Sequence, residues 1–65
     1  MDKETKRILL NRLIEVKAQR KNLRDFFKLL MERKSEIDMK TIDKILDLEN
    51  TLQRNQETIE KMLND

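Results

Sequence analysis

The sequence predicts an all-α chain folded as an antiparallel two-helix hairpin, and three observations carry that prediction. None of the 65 residues is Gly or Pro, so the usual makers of hairpin turns, bulges and phosphate-cradling loops are missing. Apolar side chains recur in steps of three and four, the spacing of one face of a helix. That recurrence comes in two series that are out of phase with each other, so one straight helix cannot present both on a single face.

The first series runs through Leu9, Leu13, Val16, Leu23, Phe27 and Leu30. With Leu9 at heptad position d, Leu13 and Phe27 fall at a, and Val16, Leu23 and Leu30 fall at d. Arg20 takes the one a position that is not apolar. This predicts helix 1 over about residues 2–34, with Arg33 and Lys34 suiting the negative end of the helix dipole.

The break comes at Lys34-Ser35-Glu36-Ile37-Asp38. Asp38 suits an N-cap, and Ile37 can staple onto Ile42 from the N′ position; Ser35 is an alternative cap. A turn at about 35–38 follows. The second series, Ile42, Ile45, Leu52, Ile59 and Leu63, has Glu49 and Gln56 at its polar a positions and predicts helix 2 over about 38–64. The rival architecture is one long helix with a heptad stutter, roughly 100 Å long, in a coiled coil. Either way, residues 1–65 read as a single domain.

Each helix carries apolar residues outside the a and d seam. Leu10, Phe26 and Met31 flank the first series, and Leu46, Leu48 and Met62 flank the second. A stripe that wide suits a helix with two neighbours, so a homodimer forming a four-helix bundle is expected. The expected interface consists of the seam residues of both series together with Arg20, Glu49 and Gln56. A turn near 35–38 brings Arg20 opposite Leu52, with Glu49 and Gln56 one helical turn to either side. These three either form a buried polar layer that sets register and oligomeric state or snorkel to water. On the first reading, Arg20→Leu should raise thermal stability and loosen the assembly.

The 15 Lys/Arg and 13 Asp/Glu are unevenly spread: residues 1–34 have a balance of +6 and residues 35–65 one of −4. That asymmetry favours antiparallel pairing of the two helices. Lys17, Lys21, Arg24 and Lys28 also form a ridge outside the seam that could follow phosphates, although no aromatic residue interleaves with it.

Catalysis is not expected. There is no Cys and no His, which removes the commonest nucleophile-activating base and the soft metal ligands. The carboxylates with helical spacing, Asp43, Asp47 and Glu49 or Glu57 and Glu60, point mostly outward: Asp43, Asp47 and Glu60 sit where solvated surface residues belong, and Glu57 pairs with Lys61. No cofactor, metal, small-molecule substrate or membrane partner is expected, and no apolar run approaches a membrane span. The cytoplasm is the expected compartment.

In size and outline the chain resembles the small plasmid-copy-number RNA-binding hairpins, a resemblance that implies a four-helix dimer. It also resembles the short two-helix phosphatases of sporulating bacteria, but Leu48-Glu49-Asn50-Thr51-Leu52 stands where that family has Ser-Gln-Glu-Leu-Asp. No motif of either family matches residue by residue. The expected function is that of a small regulator or adaptor acting through helix-mediated contacts with another protein. The alternative is a dimeric RNA- or DNA-binding regulator that uses the basic ridge.

Overall fold

The computed structural model describes residues 1–33 and 36–64. Two antiparallel helices make up the molecule, α1 over Lys3–Glu32 and α2 over Met39–Asn64. At 1.5 Å per residue they are about 45 and 39 Å long, and the chain measures 50 × 15 × 13 Å between Cα extremes. A single continuous helix is thereby ruled out. Of the sequence-predicted ends, Lys34 and the alternative cap Ser35 lie outside the described residues.

Both helices start in the same way. The Asp2 carboxylate accepts from Thr5 N–H at 2.7 Å, and the Asp38 carboxylate accepts from Thr41 N–H at 2.8 Å. Each Asp-x-x-Thr thus satisfies one of the backbone donors that a helix leaves unpaired at its N-terminus. Ile37, on the N′ side of the second cap, is half-buried, as is Ile42. At the other end of α1, Arg33 N–H donates to the Leu30 carbonyl at 3.0 Å, and Glu36 N–H donates to the Arg33 carbonyl at 2.9 Å. Among the described residues no φ is positive.

The Asp38 cap makes the hairpin sensitive to acid. Hydrogen bonds from Thr41, side chain first and backbone second, lower its pKa from 3.8. A lowered folded-state pKa stabilises at pH values above 3.8 and loses that contribution as the pH falls through the folded value. Asp38→Ala is therefore expected to lower the thermal midpoint by a few degrees at neutral pH, and the difference from wild type should shrink as the pH is taken down below 3.8. Melts followed by circular dichroism at the two pH values check this.

The core is small. Val16 is fully buried, and Ile45, Leu52 and Ile59 are nearly so. Val16, Leu52 and Ile59 form one cluster, with Leu9, Leu13, Leu23 and Leu63 packed against it. Leu9 and Leu13 come from the start of α1, and Ile59 and Leu63 from the end of α2, as the antiparallel register requires. Phe27, Leu30 and Ile42 are half-buried and continue the seam toward the turn. The predicted heptad positions are thus the residues that meet between the helices, within one chain.

Candidate interaction surface and its polar clasp

Halfway along the seam, Arg20 joins the two helices. Its Nε and Nη2 donate to Glu49 Oε1 at 3.1 and 2.9 Å, and its Nη1 donates to Gln56 Oε1 at 2.7 Å. Glu49 and Gln56 lie on α2 seven residues, two helical turns, apart; an arginine on the facing helix at a height between them reaches both. The side chains of Arg20 and Glu49 are 15% and 22% exposed, so the group is shielded without being sealed from water. The three side chains the sequence places opposite one another do meet, in a part-buried clasp that lies between a fully buried polar layer and a solvated edge.

A second guanidinium approaches the same carboxylate. Arg24 Nη2 is 3.6 Å from Glu49 Oε1 while its side chain stays 64% exposed. Glu49 Oε2, by contrast, is buried and accepts no hydrogen bond. One carboxylate oxygen therefore takes every partner and the other takes none, leaving the clasp partly satisfied, which is costly in a low-dielectric setting.

The basic ridge is present and solvent-facing: Lys17, Lys21, Arg24 and Lys28 are all exposed. Lys21, Arg24 and Lys28 rim a cleft of about 530 Å³ that also touches Phe27, Leu46 and Glu49. This fixes which flanks of the two helices lie on the same side. In an antiparallel pair, the e and b positions of both helices share one side and the g and c positions share the other. The ridge belongs to the e and b side, together with Leu46.

Arg24 serves both features, a dual role that the sequence does not reveal because a long side chain can reach outside its heptad position. Glu60, expected on the solvated surface, is instead half-buried, because its e position borders the seam. Asp2 as a cap could have been found from its Asp-x-x-Thr spacing, which Asp38 repeats.

Much apolar surface is left uncovered. Ile8, Leu10, Ile14, Phe26, Leu29, Leu46 and Leu48 are among the large side chains more than two-fifths exposed. The accessible surface of the chain is 5568 Å², whereas a compact monomer of 7.9 kDa would expose about 4,400 Å². The excess of about 1,200 Å² per chain is what a hairpin without a further layer must show. Among the described residues no group of His, Cys, Asp or Glu is placed to hold a metal, and no helix is long and apolar enough to cross a membrane. Comparison with family models, with characterised proteins and with solved structures finds no match to this chain.

Proposed function

We propose that the chain is a small non-enzymatic regulator or adaptor that self-associates, two hairpins forming an antiparallel four-helix bundle, and that acts through helix-mediated contacts with another protein. The observation that carries this reading is the excess exposed surface. Covering about 1,200 Å² on each of two chains would bury roughly 2,400 Å² in total, which falls within the range of obligate homodimers. In such a bundle the seam residues, with Arg20, Glu49 and Gln56, sit against the shared core. A cysteine-free composition suits the cytoplasm, the compartment proposed for it.

Sedimentation equilibrium tests the self-association. Twice the chain mass of 7.9 kDa is expected at micromolar concentration, and a particle of one chain mass at every concentration would sink the proposal.

A second reading has one observation in its favour, the four exposed cations on one flank. On that reading the dimer binds RNA or DNA through backbone phosphates, and affinity for a heparin or nucleic-acid column falls steeply with salt. Alanine at Lys21 and Arg24 would weaken retention, and no retention at low salt would eliminate this reading.

A further inference from the structure

The two flanks of the hairpin differ in a way that decides which one the second copy covers. Both flanks expose large apolar side chains, Leu10, Ile14, Met31, Met39 and Leu46 on the e and b side, so charge is what separates them: along that side lie Arg7, Lys17, Lys21, Arg24 and Lys28 from α1 and Asp43, Glu57 and Glu60 from α2. Burying that row would strip water from many charges at once, which is unfavourable for each ion left unpaired. The g and c side carries almost none. Between Thr5 and Leu29 on α1 its charges are Arg12 and Glu15, which are hydrogen-bonded to each other at 3.1 Å. On α2 its one charge is Lys44.

The rest of that side is built to be covered. Ile8, Phe26 and Leu29 from α1 and Leu48 and Met62 from α2 are exposed apolar side chains along it. Two of its polar groups are already satisfied within their own helix: the Thr51 hydroxyl donates to the Asp47 carbonyl at 3.0 Å, and the Thr58 hydroxyl donates to the Arg54 carbonyl at 2.9 Å. Gln19 and Asn55, at mid-length, are polar without being charged. Large apolar residues near both ends with uncharged polar ones between, and few Lys, Asp or Glu, is the composition of a buried protein interface.

We infer that the flank bearing Phe26, Leu48 and Met62 is the self-association face, covered by the same flank of a second copy of this chain, and that the cationic flank stays outside the bundle. This inference rests on the self-association proposed above and names the surface that does it. It also leaves the ridge accessible in the dimer, so the outer face is the one offered to an acidic partner.

Leu46 and Leu48 make a matched pair for testing it. They are 47% and 49% exposed, two residues apart on one helix and on opposite flanks, so each substitution removes a similar amount of exposed apolar surface. Light scattering across a concentration series, with helicity followed by circular dichroism, is expected to show Leu48→Glu dissociating at least about 100-fold more readily than wild type. Leu46→Glu is expected to stay within about threefold of wild type.

Dissociation by Leu46→Glu, by both variants or by neither overturns the assignment of the face. A wild-type protein that is monomeric throughout overturns the self-association on which the inference rests, a distinguishable outcome. Should Leu48→Glu lose its helicity, Asn55→Leu takes its place, with Gln53→Leu as its counterpart on the cationic flank. Asn55→Leu is expected to tighten the dimer about tenfold and Gln53→Leu to leave it unchanged; equal effects overturn the inference.

Discussion

Replacing Arg20, Glu49 and Gln56 together by leucine is expected to raise the thermal midpoint, while Arg20→Leu alone is expected to lower it. The clasp holds a guanidinium and a carboxylate away from most of their water, 15% and 22% exposed, and leaves Glu49 Oε2 with no partner. Apolar residues of similar size in place of such a group are typically neutral or stabilising by up to a few kcal/mol. Discounted for partial exposure, the gain is about 1–2 kcal/mol, or roughly 5–15 °C for a domain of this size.

The single substitution acts in the other direction. Without Arg20, Glu49 loses both short hydrogen bonds and keeps only Arg24 at 3.6 Å, and Gln56 loses its donor as well. Stranding these groups costs about 1–3 kcal/mol. The sequence alone suggests that Arg20→Leu stabilises; the geometry reverses that expectation, because the arginine satisfies two acceptors on the other helix. What the triple variant gives up is specificity. A polar layer at a positions penalises slipped or reversed pairings, so a mixture of masses in place of one species is expected. A triple variant less stable than wild type would mean that the clasp stabilises the fold outright.

Leu52→Ala is expected to come close to unfolding the protein. Leu52 is 8% exposed and joins Val16 and Ile59 in the buried cluster between the helices. Truncating a buried leucine costs about 2–5 kcal/mol through lost transfer energy and the cavity left behind. The whole stability of a 65-residue chain is only about 3–10 kcal/mol. Larger cores share such a loss among many residues; here few side chains can move in to fill the space. A fall of at least about 10 °C in the thermal midpoint is expected, against a change of no more than about 0.5 kcal/mol for Leu46→Ala on the exposed cationic flank. A mild effect at Leu52 would show that the cluster is not what holds the two helices together.

Much of this was legible in the sequence because heptad spacing encodes direction. The same steps of three and four that select Leu9, Val16 and Leu23 on α1 and Ile45, Leu52 and Ile59 on α2 place them between the helices, and the shift of phase at Ile37 and Asp38 marks the turn. Even the meeting of Arg20 with Glu49 and Gln56 follows from counting outward from that turn.

Side-chain reach is a different matter. Arg24 lies at an e position and reads as part of a surface ridge, yet it extends to Glu49 because its stem is long. The orphaned Glu49 oxygen is likewise invisible to periodicity, which assigns a residue to the seam without saying which of its atoms finds a partner. Periodicity is also silent on whether a wide apolar stripe meets one chain or two. The seam within the chain and the flank beyond it carry the same kind of residue, and only the exposed area of the folded hairpin, with the contrast in charge between its flanks, separates them.

The thermal midpoint measured as a function of protein concentration tests most directly whether this hairpin is completed by a second copy. For a dimer whose halves are stabilised by association, the midpoint rises with each tenfold increase in concentration, and the native species has twice the 7.9 kDa mass of the chain. A cooperative melt whose midpoint does not move with concentration, from a particle of one chain mass, would contradict it.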